Sequence, residues 1–137
     1  MKLGVAELLS KVNELRDESQ QLVVLRNNDS AALRAIIQGA FHPNAKWLLP
    51  RGNPPYRPND LPDLESVFHS EYRKLYLFID GGIQNLNQVK RERLFIEMLE
   101  RLAPADAELL LSIKDKIFPY DNISEETVKR AFPGLIP

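Results

Sequence analysis

Apolar side chains recur along this chain at three- and four-residue spacings, the period of helices that bury one face. Leu8, Val12 and Leu15 fall at i, i+4 and i+7 and predict a helix over 6–16. Asp17-Glu18-Ser19-Gln20 pairs an acceptor with a Gln three residues on, a capping-box-like start for a short helix over 18–27 carrying Leu22, Val23 and Leu25. Asn27-Asn28-Asp29-Ser30 breaks that helix and caps a third over 30–41, with Leu33, Ile36, Ile37 and Phe41 inward. The most regular stripe is Leu64, Val67, Phe68, Tyr72, Leu75, Tyr76 and Ile79. It predicts one continuous helix over 64–80, ended by Gly81-Gly82. Asn85-Leu86-Asn87-Gln88 opens a helix over 86–102 with Phe95, Met98, Leu99 and Leu102 on one face. Pro104 suits the start of another over 105–116, which buries Leu109, Leu110 and Ile113. Ser124 caps a last helix over 124–132, stopped by Pro133-Gly134.

No segment alternates apolar and polar positions in the manner of a strand. The expected fold is therefore all-α: six to seven short helices in a single domain, 1–137, with helical groups at 1–41 and 64–137. A proline-rich loop, 42–63, joins the groups, because prolines delete amide donors and bias the residues before them away from helix. The core should centre on Leu75, Ile79, Phe95, Leu99 and Leu110. A chain of 137 residues buries roughly two thirds of its unfolded surface without help from disulfides or metals. It has no cysteine, which removes thiol nucleophiles and thiolate metal sites. No apolar run approaches the roughly 20 residues of a membrane span. The first residues become charged too soon for a signal peptide, so a cytoplasmic location is expected. Asn122-Ile123-Ser124 then reads as a helix cap rather than a glycosylation site.

Charge changes the picture at one place. From Ser30 to Asn59 there is no acid, but Arg34, Lys46, Arg51 and Arg57 are present. Of the 18 basic residues four lie there, so fourteen face all 19 acids elsewhere, in a chain of net charge −1. The same stretch holds the only Trp, Trp47, and Tyr56, interleaved with Pro43, Pro50, Pro54, Pro55 and Pro58. Cations between flat rings are the chemistry of phosphate and base contact, since guanidinium groups grip phosphate and bases stack on aromatic faces. Lys46, Trp47, Arg51, Tyr56 and Arg57 are thus candidate ligand-binding residues, with Arg73 and Lys90 as neighbours. The competing use is structural: Trp47, Leu48 and Leu49 plug the core while the arginines sit in water. A second basic patch could form from Arg73, Lys74, Lys90, Arg91 and Arg93. Arg93–Glu97 and Glu97–Arg101, each at i, i+4, would neutralise much of it as a salt-bridge ladder.

Catalytic and metal chemistry find no support. His42 and His69 are the only histidines, and neither has an orienting carboxylate in a recognisable arrangement. Glu71 is two residues from His69, which does not put them on one helix face. Gly81-Gly82 is followed by no Gly-Lys-Ser/Thr element. Glu100, Asp106 and Glu108 could pair as acid and base, but read as exposed helix ends. The expectation is no enzyme, no cofactor and no metal.

Several segments resemble a family of small uncharacterised proteins from large tailed phages, notably cyanophages. They include Leu48–Pro58, Arg73–Gly82, Arg91–Ile96, Leu99–Leu102, Asp106–Leu111 and Ala131–Ile136. The resemblance implies a phage protein made in the cytoplasm of an infected bacterial host, and assigns no activity to any residue. Together these features suggest a non-enzymatic accessory or host-takeover protein with no membrane partner. It would bind a host or phage protein, or an anionic nucleotide or nucleic acid. Two narrower alternatives are a nucleic-acid-binding replication or transcription factor and a sponge for small signalling nucleotides of host immunity. The amphipathic helices could also close on a second copy.

Overall fold

A helix near the C-terminus, α6 (Pro104–Lys114), is the element around which the others gather, as the computed structural model, which describes residues 3–81 and 85–137, places it. Ala107, Leu109, Leu110, Leu111 and Ile113 are all buried. A helix apolar around most of its circumference must be covered on several sides. Here α1 (Val5–Glu14), α3 (Ala31–Phe41) and α5 (Gln88–Arg101) pack against it. α2 (Glu18–Asn27) packs on α7 (Glu125–Ala131). Between α3 and α5 lie the proline-rich segment and one turn, α4 (Phe68–Glu71), which runs directly into a 3-10 helix, Tyr72–Phe78. The described residues are all-helical with seven α-helices; their only strand-like pairing is an isolated antiparallel bridge between Trp47 and Ile79. None of these helices is long and apolar enough to cross a membrane.

Six of the seven expected helices form within a few residues of their expected ends. Their caps explain this. Asp17, Ser30 and Ser124 each accept a backbone N–H at the start of α2, α3 and α7. α5 is capped by Asn87, not by Asn85, with Asn87 Oδ1 accepting from Val89 at 2.8 Å. Asn122 of the formal sequon is bound into the fold: its N–H and side-chain amide both donate to Asn13, each at 2.9 Å.

The continuous helix expected over 64–80 does not form. Only Phe68–Glu71 is α-helical, and the chain tightens to 3-10 geometry through Phe78. At three residues per turn, Leu75 and Phe78 stack on one side and are buried, while Tyr76 turns out to solvent. Ile79 leaves the helix in extended conformation. Leu48 N–H donates to Phe78 O at 2.7 Å and Asp80 N–H to Lys46 O at 2.8 Å, so a partner distant in sequence draws this backbone out. Of the expected core residues, Leu75, Phe95, Leu99 and Leu110 are buried, whereas Ile79 is only half-buried for this reason.

Asp106 overturns the expectation of an exposed helix end. It is 3% exposed, and its Oδ1 accepts the Ala6 N–H at 2.9 Å, capping α1 from α6. Gly4 makes the approach close: a Cβ there would meet Glu65 Cβ at 3.2 Å and Asp106 Oδ2 at 3.3 Å. That Oδ2 is buried with no hydrogen-bond partner. Burial pushes the Asp106 carboxyl above its ordinary value of 3.8; the Ala6 N–H and His69 oppose the rise, and Glu65 and Glu7 add to it. The folded state therefore takes up this proton more readily than the unfolded one. Asp106 should favour folding increasingly as pH falls through its raised value towards the ordinary one. Asp106→Asn keeps an acceptor for Ala6 and cannot ionise. Its melting temperature should match or exceed wild type near pH 7, with the difference moving in wild type's favour by about pH 4. Parallel melting curves for the two proteins across that range would contradict this account.

Candidate functional site: the proline-rich strap

A segment with many prolines has more carbonyl acceptors than amide donors, and the missing donors must come from elsewhere. α6 and the residues after it supply several. Lys116 Nζ donates to Gly39 O at 3.0 Å, His42 O at 2.9 Å and Ala45 O at 3.1 Å, closing the end of α3 and the start of the strap together. Lys114, 4% exposed, donates from Nζ to Pro50 O at 2.9 Å and to Asp115 Oδ1 at 2.8 Å. Asp115 in turn accepts the Gly52 N–H on Oδ2 at 3.1 Å. From α5, Gln88 Nε2 donates to Leu48 O at 2.9 Å. At the other end of that helix Glu100 accepts the Arg57 N–H at 2.7 Å, and its carbonyl accepts from Asn59 Nδ2 at 3.0 Å. The anchors follow the same order on the strap as on α5. The strap therefore runs alongside α5 from its N-terminal to its C-terminal end, with α6 beneath. Gly52, at φ +87°, makes the one turn along it that demands glycine.

Lys116 itself sits at φ 60°, where glycine is the usual choice. Its N–H bonds Ile113 O at 2.8 Å and the Ile117 N–H bonds Ser112 O at 3.0 Å, the Schellman pattern that ends a helix. A glycine would hold this backbone with less strain but could not reach three carbonyls.

The aromatic members of the expected site face inward. Trp47 is half-buried and its indole N–H donates to Gly39 O at 3.0 Å. Gly39 has to be glycine, because a Cβ would stand 2.8 Å from Trp47 Cζ2 and 3.1 Å from Ile113 Cγ2. Tyr56 is half-buried against the core, and burial, together with nearby Glu108, raises its hydroxyl pKa. The competing use, as packing, accounts for both rings. The cations differ. Lys46, Arg51 and Arg57 are exposed, and none is in an ion pair within the described residues. They are strung along the strap rather than clustered: Lys46 near the start of α5, Arg51 near Asp115, Arg57 beside Glu100.

Arg73 and Lys90 lie off the strap, both exposed. Arg73 stands 5.9 Å from the centre of the Tyr72 ring, and Lys90 is in the first turn of α5. The second basic patch loses Arg91, which is buried and donates to Leu77 O at 3.0 Å, tying the 3-10 helix to α5. The anticipated ladder is also absent. Arg101 and Lys74 both pair with the buried Glu71, whose carboxyl they hold below its usual range against the cost of burial.

Beside the strap a half-open groove of about 260 Å³ lies between Leu49–Pro55 and the Glu92–Ile96 part of α5, with Lys114 contributing to its lining. Among the described residues no three His, Asp or Glu side chains converge as a metal site would require. The residues that fix the strap, namely Gln88, Glu100, Lys114, Asp115 and Lys116, were not legible as site residues. The available signal was an apolar helix ending in Lys-Asp-Lys with no glycine to terminate it.

Lys114→Met removes a buried cation and leaves Pro50 O and Asp115 without their donor. It should destabilise the protein by about 3 kcal/mol and accelerate hydrogen exchange at the Gly52 amide. At Lys116, loss of the three bonds should lower the melting temperature in both variants, less in Lys116→Gly than in Lys116→Met, because only glycine relieves the backbone. Equal melting of Lys116→Met and wild type would mean those bonds contribute nothing.

No curated protein matches this sequence. A family model does, over residues 8–119, a span that takes in most of α1, the whole strap, all of α6 and, just beyond it, Lys116 with its three carbonyl contacts. The chain thus belongs to the family of unknown function DUF6433.

Proposed function

We propose that this protein is a non-enzymatic binding module whose strap docks an acidic protein surface. One observation carries the reading: the strap's backbone is tied down at both ends and in the middle, while Lys46, Arg51 and Arg57 remain exposed and, among the described residues, in no ion pair. A surface fixed before binding loses little conformational freedom when a partner arrives. A protein partner is favoured over a nucleic acid because Trp47 and Tyr56 are half-buried in packing, which leaves less ring face on which bases could stack. The alternative ligands, nucleic acid or a small signalling nucleotide, would have to be held by cations spaced along the whole of α5. The resemblance of several segments to phage proteins supports an accessory or host-takeover role in the cytoplasm of an infected bacterium.

Changing Arg51 and Arg57 together to Gln tests the reading. Exposed charges contribute little to stability, so the melting temperature should stay nearly constant. Capture of the partner from infected-cell extract should weaken at least tenfold, about 1.4 kcal/mol. A protein partner should be retained through moderate salt, whereas a polyphosphate chain would be lost steeply between about 50 and 200 mM. If capture survives the double change, the strap is a spacer.

A further inference from the structure

The groove beside the strap has walls of unusual asymmetry. Leu49, Pro50 and Pro55 form one side and Phe95 and Ile96 the other, so its interior is apolar. Its rim is charged unequally. Arg51 stands exposed on the strap side with no ion pair within the described residues. Glu92 stands on the α5 side and already accepts Gln88 Nε2 at 3.2 Å. Lys114 lies below, its charge paired with Asp115; an ammonium has three donors, and among the described residues two of its protons have acceptors, Pro50 O and Asp115 Oδ1.

We propose that this groove receives one large apolar side chain, aromatic by preference, of an acidic peptide segment, whose neighbouring carboxylate pairs with Arg51. The inference rests on the reading of the strap as a docking surface and names what the partner inserts there. Size argues for a single side chain: about 260 Å³ falls below the roughly 300–1,000 Å³ of pockets that hold a whole small molecule. Charge complementarity argues for an acidic segment, because the strap contributes one cation, Arg51, and no acid to the rim. The same asymmetry sets the orientation, since a carboxylate placed on the α5 side would meet Glu92. An apolar anchor in a desolvated pocket with a charged pair at its edge is the arrangement in which a few residues dominate an interface.

The test uses a five-residue peptide, tryptophan flanked on each side by two aspartates, blocked at both ends and fluorescently labelled. Three controls accompany it: serine in place of tryptophan, asparagines in place of the aspartates, and a single-stranded oligonucleotide of equal charge. Binding by anisotropy should weaken at least tenfold for each altered peptide, and backbone NMR shifts should appear at Leu49, Asn53 and Ile96. Ile96→Ser removes part of one apolar wall and should weaken the tryptophan peptide by a similar factor without affecting the serine one. The serine substitution lies in the peptide, so its result does not depend on how any protein variant folds. Equal binding of tryptophan and serine peptides, with shifts confined to Lys46, Arg51 and Arg57, would overturn the groove and leave the charged strap standing. Binding unaffected by Arg51→Gln with Arg57→Gln would overturn both. An oligonucleotide that binds more tightly than the peptide and shifts the same groove signals would replace the acidic peptide with a nucleic acid.

Discussion

The demand for hydrogen-bond donors by a chain rich in proline organises much of this molecule. A segment of about twenty residues without regular structure cannot lie against helices with its carbonyls unpaired, because each such group loses water without compensation. The structure meets this from the far end of the chain. Lys114 and Lys116 turn their ammonium groups to Pro50, Gly39, His42 and Ala45, and Gln88 serves Leu48. These bonds make α6 a partner of the strap as well as of α1, α3 and α5. They also explain why α6 ends without glycine: the residue in the left-handed position is the one that must reach three acceptors.

The absence of acids from the strap as far as Asn59 acquires a second meaning in this light. The amides that the strap does retain at Gly52 and Arg57 are held by carboxylates, Asp115 and Glu100. Glu92 borders the groove and Glu108 lies near Tyr56. An acid between Lys46 and Arg57 would meet this row of like charge, so some of the segregation visible in the sequence serves the fold. Arg51 contributes here too: after burial, which opposes them, Lys114, the Gly52 N–H and Arg51 hold the Asp115 carboxyl below its usual range. Arg57 differs, because its backbone makes the anchoring bond and its guanidinium is left free. The strap's inner face is thus committed to structure, and on its outer face Lys46 and Arg57 carry charge that no ion pair among the described residues uses.

Helix positions were readable where cap and stripe agreed locally, as at Asp17, Ser30 and Ser124. The segment 64–80 failed because periods of 3.0 and 3.6 are hard to distinguish over two turns. Leu75 and Phe78 fit a tight helix, and the deciding contact, between Lys46–Leu48 and Phe78–Asp80, crosses some thirty positions of sequence. Asp106 was misread for a related reason. An acid in the first turn of a helix is ordinarily a dipole partner in water, and nothing local marks it as the buried cap of a helix a hundred residues earlier. Trp47 and Tyr56 stood where a ring for stacking and a ring for packing look alike. Gly39, eight residues before Trp47 and inside the last turn of α3, was the one sequence hint that a large side chain had to fit there.

Rigidity is what joins these observations to the proposed binding role. Prolines restrict the strap in the unfolded chain as well as in the folded one, which lowers the entropy lost when it is laid down. Its anchors then fix the remaining freedom from both helices beneath it. A partner that meets Arg51 or the groove would contact a backbone bonded through Pro50 to a buried lysine of α6, one residue beyond the core residue Ile113. Docking that pulled the strap outward would have to break the bond from buried Lys114 to Pro50 O and that from the Gly52 N–H to Asp115, so the proposed binding would favour partners complementary to the strap as it lies. The fold would in this way confer selectivity through a loop, an element that in most proteins yields to its partner.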